Sequence, residues 1–214
     1  YKDTVDAYNT SLTRSTPTTL SVARGELVGA SIGDYALFAG GYSTTSPIYK
    51  DTVDAYNTSL TRSTPTALSV ARQVLAGASV GNYALFAGGY SLSSPNYEDT
   101  VDAYNTSLTR STPTALSVGR SALTGASVGS YALFAGGYLG SGICSSTVDA
   151  YNTSLTRSTP TVLSEEKDIL AGASVVSYAL FAGGSRGSGS GNYSSTVDAY
   201  NTSLTRSTPT ALSV

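Results

Sequence analysis

TVDAYNTSLTRSTPT, read at Thr4–Thr18, decides the architecture of this chain. The same run returns without a substitution at Thr52–Thr66, Thr100–Thr114, Thr147–Thr161 and Thr196–Thr210. The copies are spaced by 48, 48, 47 and 49 residues. A second run, YALFAGG, starts at Tyr35, Tyr83, Tyr131 and Tyr178. Self-similarity at a period of roughly 20–50 residues is the signature of a propeller or another repeat array, because one such unit cannot bury its apolar face alone. Symmetry also constrains function. Chemistry ordinarily needs one asymmetric site, and most of this chain is symmetric.

Within a unit, the residues from Arg72 to Val118 read as four strands, A to D from the axis outward. Leu75–Gly81 is short, apolar and small. Tyr83–Tyr90 is an apolar run that includes a diglycine. Asp99–Asn105 alternates, with Val101 and Ala103 on one side and Thr100, Asp102 and Tyr104 on the other. Arg110–Val118 is rich in Thr and carries Pro113. Each segment has strand length and is bounded by Gly, Asn or Ser, and none shows a sustained helical period. The small residues Gly77, Ala78 and Ser79 suit a strand crowded at an axis. Proline cannot donate to a ladder, so Pro17, Pro65, Pro113, Pro160 and Pro209 place strand D at the outer edge, where they also blunt edge pairing.

An Arg before strand A, an apolar strand ending in Gly-Gly, and a V-x-x-Y-N strand together resemble the kelch repeat. The matching residues are Arg72, Gly88, Gly89, Val101 and Tyr104, with equivalents in the other copies. The chain departs from that pattern in having no Trp, with Arg62, Arg110, Arg157 and Arg206 near the expected slot. Its fourth copy also replaces the Arg-containing link to strand A by Glu165-Glu166-Lys167-Asp168. The resemblance implies an all-β, kelch-like β-propeller with four-stranded antiparallel blades. It also implies a scaffold for interaction, since a minority of such proteins are enzymes. Phasing the repeats gives one domain over 1–214: a C–D half-blade at 1–22 and four complete blades at 23–70, 71–118, 119–164 and 165–214. The half-blade has an unpaired inner edge, which predicts pairing with strands from a longer array or self-association with a partner chain. The absence of Met predicts a processed or excised chain.

Composition removes several function classes. Charged residues are 12% of the chain and the net charge is −2, so no basic stripe exists to hold a nucleic acid. No apolar run approaches the ~20 residues of a membrane-spanning helix. With no His and one Cys, Cys144, the usual zinc and copper sites and a Ser–His–Asp arrangement cannot be built. The expectation is no metal, no cofactor and no internal disulfide. The abundance of Ser, Thr, Gly and Tyr suits an extracellular or cell-surface location.

Two repeated sets invite a functional reading and are read as structural. Asp6, Asp54, Asp102, Asp149 and Asp198 recur in strand C. Arg14, Arg62, Arg110, Arg157 and Arg206 recur across the C–D turn. A catalytic pair needs one perturbed environment and not five, so the expectation is an ion pair that braces each blade. The repeated tyrosines (Tyr8 and Tyr35 with their equivalents) are expected as packed rings with satisfied hydroxyls. Asn9, Asn57, Asn105, Asn152, Asn201 and Asn192 each head an N-x-S sequon and are candidate glycosylation sites. The competing reading makes the first five the opening residues of the C–D turn.

The copies differ from one another mainly in the B–C loops, Ser43–Asp51, Ser91–Asp99, Leu139–Ser146 and Ser185–Ser195, and in the D–A links. Strand alternation sends both sets to one face. That face is the one free to specialise, with Tyr49, Tyr97 and Tyr193 as amphipathic anchors and Lys50 and Arg186 beside them. The sequence therefore predicts a non-enzymatic binding or display scaffold for a protein or glycan. The alternatives are a structural repeat unit for assembly and a carbohydrate-active enzyme.

Overall fold

Each YALFA run pairs on both sides, and this pairing builds the fold. The computed structural model describes residues 1–187 and 191–213, and every regular element among them is a β-strand. β1 (Ala7–Tyr8) and β2 (Arg14–Ser15) form a two-stranded sheet. The first four-stranded sheet is β3 (Val28–Ile32), β4 (Tyr35–Ala39), β5 (Val53–Asn57) and β6 (Arg62–Ser63). The second is β7 (Ala76–Val80), β8 (Tyr83–Ala87), β9 (Val101–Asn105) and β10 (Arg110–Ser111). The third begins with β11 (Thr124–Val128) and β12 (Tyr131–Ala135). Its next connection holds a small hairpin, β13 (Tyr138–Gly140) and β14 (Ile143–Cys144), before β15 (Val148–Asn152) and β16 (Arg157–Ser158) complete the sheet. The fourth is β17 (Ala171–Val175), β18 (Tyr178–Ala182), β19 (Val197–Asn201) and β20 (Arg206–Ser207). All pairs are antiparallel and follow chain order within a sheet.

The sheets pack face to face, with β3, β7, β11 and β17 side by side along the inner edge. Alternation along the strands supplies both faces. Leu85, Val101 and Ala103 of the second sheet point toward the third and meet its Ala132, Phe134 and Tyr151. The same set recurs where Leu37, Val53 and Ala55 meet Ala84, Phe86 and Tyr104, and where Leu133, Val148 and Ala150 meet Ala179, Phe181 and Tyr200. Complete burial of one such large side chain contributes about 1.5–3 kcal/mol, so three identical interfaces supply most of the cohesion.

Strand D differs from its sequence expectation. Its ladder covers only two residues, Arg110–Ser111 in the second sheet, and Pro113 falls outside it. Beyond the strand the chain leaves its own sheet and docks on strand C of the next. The Tyr151 hydroxyl donates to Thr114 O at 2.8 Å, the Ser117 amide and hydroxyl both donate to Asp149, and Leu116 is buried. Proline lacks an N–H and ends the ladder there. The STPTALS segment is thus a strap between sheets.

Small residues on the inner strands permit the close approach. A Cβ on Gly77 would lie 2.6 Å from the Gly29 carbonyl oxygen. Ser79 and Ser127 donate their hydroxyls to the carbonyls of Ser31 and Ser79 in the preceding sheet. Backbone bonds run Ile169 N to Ala122 O, Ala122 N to Val74 O and Val74 N to Glu26 O.

The two ends differ from the interior. A cavity of about 470 Å³, lined by Val5, Asp6, Leu20, Leu27 and Phe38 among others, lies beside β1 and β2, which have no inner strands. At the other end Val175, Val176, Tyr178 and Leu212 are exposed. Val176 stands where the other turns have Gly33, Gly81 and Gly129, each of which lies under a threonine of the following sheet. No described sheet covers Val176, so its bulk is tolerated.

Candidate ligand-binding face

The repeated Asp and Arg residues do come together, within a larger network than the sequence suggested. Asp102 Oδ1 accepts from Arg110 at 2.9 Å, and its Oδ2 accepts from Arg72 at 2.8 Å. The amide and hydroxyl of Ser69, on the preceding strap, complete its partners. Asp102 and Arg72 side chains are fully buried. Burial pulls the Arg72 and Arg120 pKa down against the opposing pull of Asp102 and Asp149. Equivalent pairs are Asp54–Arg62 at 3.4 Å, Asp149–Arg157 at 3.0 Å and Asp198–Arg206 at 3.0 Å. In the fourth sheet Lys167 takes the place of the buried Arg, 3.4 Å from Asp198. These carboxylates have every lone pair engaged inside the stack, so this geometry braces sheets and leaves no oxygen free for proton transfer. Asp6–Arg14 forms as well, at 2.9 Å, but with half-exposed side chains.

The repeated strand-C tyrosines are locks of the same kind. The hydroxyls of Tyr56, Tyr104, Tyr151 and Tyr200 donate to Thr18, Thr66, Thr114 and Thr161 carbonyls. Burial raises the Tyr104, Tyr151 and Tyr200 pKa. Tyr8 has the same sequence context and is exposed.

The sequons resolve into turns. The Asn57 Oδ1 accepts from Ser59 N and Thr61 N, and Asn9, Asn105, Asn152 and Asn201 do the same. Asn192 differs, donating its amide to Arg186 O. Cys144 is buried, its thiol donates to Ser185 O, and burial raises its pKa.

The B–C loops carry the candidate site. After Ala39 the diglycine Gly40-Gly41 adopts φ of 68° and 112°, a left-handed pair that β-carbon-bearing residues resist. It turns the chain so that Tyr42 bridges Gly25 of the D–A link and Tyr49 of the loop. Gly88-Gly89 repeats the turn and sets Tyr90 between Gln73 and Tyr97. The result is a strip of six rings crossing three sheets: Tyr1, Tyr42, Tyr49, Tyr90, Tyr97 and Tyr138. Successive centroids lie 5.4, 5.8, 6.0, 5.4 and 5.7 Å apart, with the planes inclined at 59–70°. This edge-to-face geometry is the one aromatic quadrupoles favour. Partial burial first, and neighbouring tyrosines second, raise the Tyr49 and Tyr97 pKa. Tyr138 Oη accepts from Gly142 N at 2.9 Å. Among the described residues, the hydroxyls of Tyr42, Tyr49, Tyr90 and Tyr97 have no protein partner.

Two of the three predicted anchors, Tyr49 and Tyr97, therefore sit in the strip. Tyr193 stands apart at the fourth sheet, highly exposed, because Ser185 replaces the tyrosine after that diglycine. Arg186 is exposed, 3.6 Å from Glu165, and donates to Tyr193 O. Residues 188–190 of this loop lie outside the described residues. Lys50 does not serve as a surface anchor. It is buried, and its ammonium donates to Thr45 O and Pro47 O inside its own loop. Its counterpart Glu98 is likewise turned inward, accepting from Ser91 and Thr100 hydroxyls. Sequence reading missed Tyr42, Tyr90 and Tyr138, which it took as the end of strand B. The available signal was their position directly after Gly-Gly in three copies and its loss in the fourth.

No protein-family model matches this chain, and no curated protein does. Its structure is similar to the solved structure of YjhT, with a TM-score of 0.75 and 12% sequence identity, over 94% of this chain and 75% of that one. At that identity the likeness establishes a shared all-β fold of four-stranded antiparallel sheets and carries no function with it.

Proposed function

We propose that this protein is a kelch-like β-propeller acting as a non-enzymatic binding scaffold, exported or displayed at a cell surface, that engages a protein or glycan through its B–C loop face. The repeat period, the four-stranded sheets and their ordered inner strands support the propeller assignment. The observation that carries the binding assignment is the tyrosine strip. Aromatic side chains with apolar bodies, polar tips and few rotamers are the typical anchors of recognition surfaces. Tyr49 and Tyr97 of the strip lie in the loops where the copies diverge, while the invariant Asp, Arg and strand-C Tyr are consumed by the scaffold. The composition, poor in charge and rich in Ser, Thr and Gly, supports the exported location.

The test is retention on paired arrays of immobilised glycans and extended peptides. The wild-type chain is expected to bind members of one class. The Tyr90→Ser/Tyr97→Ser double variant is expected to lose at least ~10-fold in affinity, the scale of two interface hot spots, with little change in melting temperature. Undiminished binding by the double variant, or no binding to either class, would overturn the reading.

A second reading, a unit for assembly, has its own observation. Among the described residues no strap serine donates to Asp6, whereas each of its four equivalents has one. Leu212 is exposed where Leu20, Leu68, Leu116 and Leu163 are buried. The two ends thus carry opposite halves of one repeated contact. It ranks second because Val176 occupies the spot where a threonine of the next unit would land. A concentration-independent monomer in sedimentation would exclude it.

A further inference from the structure

We infer that the tyrosine strip takes a proline-rich segment of another protein in the polyproline II conformation, with a basic residue of that segment over the Glu26 end. The inference rests on the binding reading above and names its ligand class.

Three features of the strip select this ligand. The first is relief. A pyranose ring stacks on an open, flat aromatic face, whereas here each internal ring is flanked by neighbours at 59–70°. The surface is a row of ridges and notches, into which pyrrolidine rings wedge. Two centroid steps, of 5.8 and 6.0 Å, carry the strip from one sheet to the next, a span of the same order as the ~9 Å turn of polyproline II.

The second feature is hydrogen bonding. A polyproline II segment has no internal hydrogen bonds, so its carbonyls need external donors. The hydroxyls of Tyr42, Tyr49, Tyr90 and Tyr97 are donors without protein partners among the described residues. A preformed segment also loses little entropy on docking, which is the physical basis of proline-rich recognition by aromatic grooves.

The third feature is the groove beside Tyr49. It measures about 310 Å³, and Pro47, Ile48, Val70, Ala71 and Leu92 form most of its wall. That volume suits one or two apolar side chains, and Ser46, Tyr49 and Ser93 complete the lining. Leu92 is two-thirds exposed at its rim, which a peptide side chain would cover.

Charge sets the direction of the segment. Lys50 and Glu98 are turned inward, and Arg24, Arg72 and Arg120 are spent on buried aspartates. Glu26 is exposed on the D–A link directly after Gly25, whose backbone bridges Tyr42 of the strip, while Lys2 lines the cavity beside β1 and β2. That end of the strip therefore attracts a cation.

The experiment is calorimetric titration of the full chain with three probes. Two are proline-rich decapeptides with a leucine at every third position, one led by Lys and one by Glu. The third is a neutral β-linked glucose oligosaccharide. The Lys peptide is expected to bind, and the Glu peptide to bind roughly threefold more weakly at low salt, the scale of one exposed charge pair. Glu26→Gln should erase that difference. Tyr90→Ser/Tyr97→Ser should weaken both peptides at least ~10-fold. Leu92→Ser, an exposed change that spares the fold, should weaken them as well. Peptide binding insensitive to Tyr90, Tyr97 and Leu92 would overturn the inference, as would a charge preference surviving Glu26→Gln. Oligosaccharide binding that depends on the strip, without peptide binding, would overturn the ligand class and leave the binding face standing. No binding of any probe would defeat the ligand class, while the array experiment decides the face separately.

Discussion

Asp102→Ala is expected to lower the melting temperature by on the order of 10 °C, while Asp6→Ala changes it by no more than a degree or two, though the two aspartates sit in identical fifteen-residue contexts. The difference is burial. Asp102 is fully enclosed and holds two arginines and the Ser69 strap. Its removal leaves the buried Arg72 guanidinium without a counter-charge, and breaking one partner of a buried pair costs about 3–5 kcal/mol. At this chain length each kcal/mol moves the midpoint by roughly 2–4 °C. Asp6 meets only Arg14, and both side chains are about half in water, where such pairs contribute little. Calorimetric scans of the two single variants check this. Equal effects would mean that the inter-sheet network does not hold the stack together.

Gly77→Ala is the second large effect, with Gly29→Ala as its matched control. Both glycines occupy the same place on inner strands of successive units. A Cβ on Gly77 meets the Gly29 carbonyl oxygen at 2.6 Å, a backbone atom that cannot rotate away, whereas a Cβ on Gly29 finds nothing nearer than its own Phe38 at 3.6 Å. Overpacking of this kind costs about 1–3 kcal/mol. Alanine also reduces the freedom of the unfolded chain, which favours folding slightly, so Gly29→Ala should be neutral or mildly stabilising. Chemical denaturation of both variants gives the comparison. A neutral Gly77→Ala would mean that the inner strands are not in direct contact.

The sequence made the strands legible because the repeat offered five readings of one pattern. The alternation of Val101 and Ala103 against Asp102 and Tyr104 gave strand C, and the apolar YALFA run gave strand B. The strap was not legible. Leu116 and Ser117 look like the end of a β-rich segment, and nothing local shows that their partners belong to a different sheet. The same holds for Arg72. Its counter-ion comes from strand C, 30 residues away in the same sheet. The candidate face could be chosen by comparing copies, since Tyr49 and Tyr97 lie in divergent loops. For Tyr42, Tyr90 and Tyr138 the comparison offers only their replacement by Ser185 in the fourth copy, and nothing in it shows that the left-handed diglycine turn re-aims them. Lys50 misled for the opposite reason. A lysine in a polar loop reads as exposed, but the loop's own carbonyls fold around its ammonium.

The strand-C tyrosines lock the sheets together, whereas Tyr42, Tyr49, Tyr90, Tyr97 and Tyr138 of the strip lie half-buried at the B–C loop face. Acetylation of the folded protein with N-acetylimidazole, mapped residue by residue by mass spectrometry, tests this division without any ligand. Tyr49, Tyr90 and Tyr97 should be modified early, with Tyr8 and Tyr193, while Tyr104, Tyr151 and Tyr200 stay protected until the protein unfolds. Modification of Tyr104 and Tyr151 at the rate of Tyr90 and Tyr97 would contradict the division and the binding face built on it.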